Sequence, residues 1–136
     1  MDKVDIFTDG GARGNPGPAA VGVVALIGGQ KLVIGKSIGK ATNNIAEYSA
    51  VIEALRLVKE NSIVSNINFF LDSELVVKQL NGEYKVKDEN LKKLYFEIRE
   101  FVISYPKTVV FSHIPREKNK EADALVNKAL DDSAQL

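Results

Sequence analysis

The chain has 136 residues, 45% hydrophobic and 26% charged, which is the size and balance of one globular domain with its own core rather than of a disordered or fibrous chain. It has no cysteine and a single histidine, His113, so disulfide scaffolds, thiolate sites and multi-histidine zinc sites are excluded, and any metal must sit among oxygen ligands as Mg²⁺, Mn²⁺ or Ca²⁺ do. Eighteen basic and 18 acidic residues cancel, which argues mildly against a pure nucleic-acid-binding module and less against an enzyme that neutralises phosphate through bound metal.

The N-terminus carries Asp2, Lys3 and Asp5, without the basic-then-apolar order of a signal peptide. No apolar run reaches the roughly 18 residues a bilayer requires, so no membrane association and a cytoplasmic location are expected. Val4 to Thr8 reads as a first strand ended by Asp9-Gly10-Gly11, and Gly14-Asn15-Pro16-Gly17-Pro18 as a loop. Ala20 to Ile27 and Lys31 to Ile38 read as a hairpin turning at Gly28-Gly29. Asn44 to Asn61 reads as a helix, with Ala50, Val51, Ala54, Leu55 and Val58 at helical spacing. Ile67 to Leu71 is a short buried strand, and Asp72-Ser73 leads into a helix through Leu80. A further helix is expected near Asn90 to Ile103, a fifth strand from Val109 to Ile114, and a last helix from Lys120 to Leu130, with Asp131 to Leu136 frayed. The order βββαβααβα predicts one α/β domain over residues 1–136, a five-stranded mixed sheet (three antiparallel strands, then two parallel) flanked by helices.

Four carboxylates stand out from the solvated majority. Asp9 precedes two glycines that would let a substrate backbone come close, although a turn-forming Asp explains it equally well when taken alone. Glu47, in the first turn of its helix, continues the apolar stripe where a solvated Glu does not belong. Asp72 lies where a buried strand hands over to a helix. An N-cap needs no further explanation, yet ligands of open α/β sheets also gather at such strand ends. Asp123 flanks the buried stripe of the last helix, between Ala122 and Leu125. If the four converge they form a cage of hard oxygens with a formal charge of about −4, unstable without cations. Its natural occupant is a pair of Mg²⁺ ions about 4 Å apart, serving phosphodiester chemistry.

The local sequences carry a resemblance. Phe7-Thr8-Asp9-Gly10-Gly11 with Gly14-Asn15-Pro16-Gly17, then Thr42-Asn43-Asn44-Ile45-Ala46-Glu47, Leu71-Asp72-Ser73 and Asn119-Lys120-Glu121-Ala122-Asp123-Ala124-Leu125 resemble, in order, the four motifs of type 1 ribonuclease H. The resemblance implies the ribonuclease H-like fold and hydrolysis of the RNA strand of RNA–DNA hybrids to 3′-hydroxyl and 5′-phosphate ends. It implies Asp9, Glu47, Asp72 and Asp123 as catalytic ligands of two Mg²⁺ ions, with Mn²⁺ as an alternative. Gly10 and Gly11 would follow the RNA strand, Asn15, Asn43 and Asn44 would read minor-groove edges and sugars, and Thr42 would line a pocket for a DNA-strand phosphate.

Two features of that family are missing. Asn81-Gly82-Glu83-Tyr84-Lys85-Val86-Lys87 passes directly into the next helix, so this is a short form without the basic protrusion. Lys85, Lys87, Lys92 and Lys93 could replace it in part, but a solvated helix face explains them better. The loop histidine that precedes the fourth motif in many members is also absent. His113 reads as a satisfied strand residue, and Arg116 is the candidate stand-in as a permanent cation able to hold a phosphate. Alternatives are activity on double-stranded RNA as well, or a hybrid-binding module without catalysis. The chain is expected to act as a monomer.

Overall fold

The computed structural model describes residues 3–135. Strands β1 (Lys3–Ala12), β2 (Gly17–Ile27) and β3 (Gln30–Ala41) form an antiparallel meander. They are followed by α1 (Asn43–Glu60), β4 (Asn66–Leu71), α2 (Glu74–Leu80), α3 (Glu89–Ser104), β5 (Val109–His113), a 3₁₀ turn (Arg116–Lys118) and α4 (Lys120–Ala134). The sheet order is β3-β2-β1-β4-β5, with β4 parallel to both β1 and β5. The expected element order and mixed sheet are both present.

One sheet face presents Val4, Ile6, Val23, Ala25, Ile67, Phe69 and Phe111 to α1 and its neighbours. Helix α1 is buried far more widely than one stripe, through Ala46, Tyr48, Ala50, Val51, Ile52, Ala54, Leu55, Leu57 and Val58. It lies against the sheet on one side and α3 on the other, so most of its circumference meets apolar partners. The Tyr48 hydroxyl donates to Gln79 Oε1 at 2.7 Å, a buried bond that ties α1 to α2. Helix α4 crosses the opposite face, where Ala20, Val126 and Leu130 form a smaller cluster. Gly22 permits this approach: a Cβ there would overlap the Ala122 carbonyl.

Several boundaries differ from the sequence reading. Gly17 and Pro18, read as loop, already pair with Ala41 and Lys40, so that β2 starts early and β3 ends late. β1 does not stop at Asp9, because Gly10 and Gly11 continue to pair with Val21 and Ala20 of β2. Asp9 therefore lies inside a paired strand, although the pairing with β4 has ended by then at Phe7–Phe70. Helix α4 continues to Ala134 instead of fraying after Leu130; buried Leu130 and the Lys128–Asp132 pair at 2.9 Å extend it. Leu136 lies outside the described residues. Helix α1 begins one residue early, which moves Glu47 out of the first turn.

The α2–α3 connection carries no helical insertion, and Lys85, Lys87 and Lys93 are exposed, as expected of a solvated face. His113 lies in β5 as expected but is its last residue, since the strand stops one short of Ile114; it is exposed, with no side-chain hydrogen bond among the described residues. No helix among those residues is long and apolar enough to cross a membrane.

Candidate active site

The parallel register of β1 and β4 pairs Phe7 with Phe70. Asp9 and Asp72 each lie two residues further on, so the sheet itself carries both carboxylates to the same edge of the cleft. Glu47 approaches from α1. Gly10 makes this possible, since a Cβ there would overlap the Ala46 carbonyl and press on the Glu47 nitrogen. Carboxylate oxygens of Asp9, Glu47 and Asp72 lie within 4.8 Å of one another. Asp123, on α4, stands outside this tight trio but lines the same cleft and acts directly on Asp9. All four carboxylates singled out in the sequence therefore line one cleft, three of them tightly grouped.

The cleft has a volume of about 470 Å³ and is also lined by Gly10, Gly11, Asn43, Asn44 and Arg116. Asp9 is buried, and its pKa is pushed up to about 7 by desolvation first, then by repulsion from Asp72 and Asp123 and a carboxyl–carboxyl hydrogen bond with Asp123. The Gly10 N–H, donating to Asp9 Oδ1 at 3.0 Å, opposes this. Glu47 is raised well above the ordinary glutamate range by burial, then by Asp9 and Asp72, with Arg116 and the Gly10 N–H pulling the other way. Its Oε2 is buried with no hydrogen-bond partner among the described residues. Hard-oxygen donors crowded together, with one oxygen left unpaired, fit a divalent cation and fit little else.

A pH dependence follows. An unfolded Asp ionises near pH 4, whereas folded Asp9 keeps its proton up to about pH 7. Below pH 4 both states are protonated and this group costs nothing. From there to pH 7 the metal-free fold progressively loses stability. A divalent cation binds the ionised form, so its stabilising effect grows over the same range. Thermal melts with Mg²⁺ and with EDTA are expected to differ by about 5 °C or more at pH 8 and by clearly less at pH 5.5. Equal increments at the two pH values would contradict this account of the cluster.

The helix caps clear two sequence-level ambiguities. The N-cap of α2 is Ser73, whose side chain accepts from Val76 N at 3.3 Å, so Asp72 is free of that duty. The N-cap of α1 is Thr42, accepting from Ile45 N at 3.2 Å. Glu47, in the second turn, is not explained by attraction to the helix N-terminus. Asn15 and Asn43 form a clamp: Asn15 Oδ1 accepts from Asn43 N and Asn43 Oδ1 from Ala12 N, both at 2.9 Å. With their oxygens committed, both side chains offer their NH₂ donors outward. Thr42, Asn15, Asn43 and Asn44 also line a second cleft, of about 420 Å³, with Asp88 and Asn90. No Lys or Arg lines it among the described residues.

Asn119 is the residue the sequence reading left without a role. It is almost fully buried, and its Nδ2 donates to Thr8 O at 2.9 Å and to Asp72 Oδ2 at 3.0 Å. It thereby fixes the Asp72 carboxylate against β1. The clue in the sequence was spacing, since Asn119 precedes Asp123 by four residues and so lies one turn away on the same side. Asn119→Ala is expected to cost about 1–3 kcal/mol, because Thr8 O and Asp72 lose a buried donor. It should also lower turnover about tenfold; urea unfolding and single-turnover rates would measure the two effects separately.

A family model described as reverse transcriptase-like matches residues 7–129. The ribonuclease HI of Halobacterium salinarum is 42% identical over 133 residues, covering 96% of this chain and 66% of that protein. A bifunctional protein of Mycobacterium tuberculosis is 40% identical, and the chain spans only 37% of its length. The ribonuclease H of Clostridium botulinum is 34% identical, with 97% of this chain and 98% of that protein covered. LC11-RNase H1, isolated from compost by a metagenomic approach, superposes with a TM-score of 0.91 at 45% identity, covering 98% of this chain and 99% of the other. The same protein solved in complex with an RNA/DNA hybrid gives 0.90 at 43% identity, covering 96% and 99%. A family model spanning most of the chain, a relative matched over nearly its whole length and close superposition on solved RNase H1 structures lead to one conclusion: this chain belongs to the type 1 ribonuclease H family.

Proposed function

We propose that the chain is an endoribonuclease that hydrolyses the RNA strand of RNA–DNA hybrids, leaving 3′-hydroxyl and 5′-phosphate ends. The observation that carries this reading is the convergence of Asp9, Glu47 and Asp72 within 4.8 Å, with Asp123 facing Asp9 across one cleft. These four carboxylates would hold two Mg²⁺ ions, with Mn²⁺ as an alternative. Bound there, such a pair activates a water and stabilises the leaving oxygen of a phosphodiester.

The chain's own residues do the rest. Gly10, which lets α1 bring Glu47 close, and Gly11 both line the cleft beside the carboxylates, where the sugar–phosphate backbone of the RNA strand would run. The outward NH₂ groups of Asn15 and Asn43 suit acceptors, namely the 2′-hydroxyl oxygen and the minor-groove edges of bases. Asn44, like Asn43, borders both clefts, and would bridge the two strands. Thr42 keeps its hydroxyl proton for a DNA-strand phosphate while its oxygen caps α1. Arg116 is exposed at the cleft rim, where its charge already acts on Glu47 and would attract the scissile strand. All these groups come from one chain, which supports action as a monomer.

The LC11-RNase H1 complex with an RNA/DNA hybrid supports the choice of substrate. The test is a matched panel of hybrid, double-stranded RNA and double-stranded DNA, each labelled on one strand and incubated with Mg²⁺ or Mn²⁺. Cutting confined to the RNA of the hybrid supports the reading. Double-stranded RNA cut at a comparable rate would widen the substrate to that class, and no cutting with either metal would leave a binding module.

A further inference from the structure

Two arginines line the acidic cleft, and they are held differently. Arg116 stands on the 3₁₀ turn with its side chain exposed. Arg13 lies at the other end, on the turn from β1 to β2, and its Nη2 is 2.7 Å from Asp131 Oδ1 in the last turn of α4. Asn127 and Leu130, one turn and one residue before Asp131, line the same end of the cleft.

The backbone of Arg13 is fixed without the ion pair. Its N–H donates to Pro18 O at 2.8 Å. Its carbonyl lies so close to Gly17 that a Cβ there would overlap it, and Gly14 then turns the chain at φ +99°. Helix α4 is likewise anchored by Val126 and Leu130. The ion pair is therefore not needed to hold either element. Both partners are exposed, at 46% and 61%, and a pair of that kind is worth at most about 1 kcal/mol. A phosphodiester offers the same guanidinium a bidentate partner and can displace Asp131. Four residues of extended strand separate Arg13 from Asp9, roughly 13 Å. With its guanidinium turned to Asp131, Arg13 is better placed to meet a phosphate further along the same backbone than one held at the carboxylates.

We propose that Arg13 binds a backbone phosphate of the strand being cut, and that Asp131 competes with that phosphate for the guanidinium in the free protein. The inference rests on the reading of the chain as a hybrid-cutting ribonuclease. It assigns Asp131 as a brake on substrate binding, whose removal strengthens the enzyme.

The test is steady-state cleavage of a labelled hybrid in Mg²⁺ by wild type, Arg13→Ala, Asp131→Asn and the double variant, at several salt concentrations. Arg13→Ala is expected to raise KM about fivefold with kcat moving less than twofold, and to flatten the salt dependence of binding by about one charge. Asp131→Asn is expected to lower KM about two- to threefold, and this gain should vanish when Arg13 is already Ala. An Asp131→Asn gain that persists without Arg13 would reduce the effect to general charge and overturn the proposal. So would an Arg13→Ala variant with unchanged KM and salt slope but a lowered Tm, which is the mark of a merely structural pair. A wild type that cuts no hybrid overturns the functional reading itself, whereas a wild type that cuts while Arg13→Ala behaves normally overturns this inference alone.

Discussion

Asp9→Asn is expected to abolish hybrid cleavage, by about a thousandfold or more, while leaving the metal-free fold at least as stable as wild type. Asp9 is the carboxylate on which the others act. Asp72 and Asp123 repel it directly, and it in turn raises Glu47. The amide preserves shape and removes charge, so in EDTA the repulsion falls and the melting temperature at pH 8 should rise. The same change takes a charged oxygen from the centre of the proposed metal site. A thousandfold loss is about 4 kcal/mol of transition-state stabilisation, in the range expected when a metal's charge is no longer placed correctly. The two readouts move in opposite directions, which a merely structural Asp9 would not produce. Measured together, a falling melting temperature in EDTA with turnover intact would contradict the assignment.

Gly10→Ala is expected to be, with Gly17→Ala and Gly22→Ala, among the most damaging single-methyl changes, and the one that bears on the cleft most directly. The new Cβ would overlap the Ala46 carbonyl and come within 2.5 Å of the Glu47 nitrogen, all backbone atoms that no rotamer change can move. Relief requires α1 to lift from β1, along the interface built on Val4, Ile6, Val51 and Leu55. Overpacking of this kind costs about 3 kcal/mol or more. It also withdraws Glu47 from Asp9 and Asp72, so residual activity should fall even in protein that remains folded. Gly11→Ala is the control for stability. A Cβ there meets only Val126 Cγ1 at 3.6 Å, an ordinary contact, and its unfolding free energy should stay within about 1 kcal/mol of wild type. Equal destabilisation by the two substitutions would show that the α1–β1 contact is softer than described.

The architecture was legible because its periodicities are plain. Ala50, Val51, Ala54, Leu55 and Val58 declare α1, and Val109 to Ile114 reads as a strand, one residue longer than β5 proves to be. The four carboxylates stood out together and not singly: alone, Asp9 read equally well as a turn residue and Asp72 as an N-cap, and the four motifs in order drew attention to them. Long-range pairing was not legible. Gly10-Gly11 looks like a strand terminus until Val21 and Ala20 are laid beside it. Neighbouring hydroxyls obscured the caps: Ser73, not Asp72, caps α2, and that choice depends on a backbone direction no local pattern reveals. Asn119 was passed over because its partners, Thr8 and Asp72, are distant in sequence. The Arg13–Asp131 pair was hidden twice, once by distance along the chain and once by the expectation that the helix had frayed before Asp131.

The measurement that bears most directly on the central claim is metal add-back on a strand-labelled hybrid. The protein is stripped with EDTA, then returned to excess Mg²⁺, and both strands are followed with the ends of the fragments identified. The account predicts no cutting in EDTA. On add-back, the RNA strand alone should be cut, leaving 5′-phosphate and 3′-hydroxyl termini. Cutting that persists in EDTA would show that no divalent metal is needed, and fragments ending in a 2′,3′-cyclic phosphate would mean that the RNA's own 2′-hydroxyl and not a water is the nucleophile. The four-carboxylate site would then not be the source of the activity.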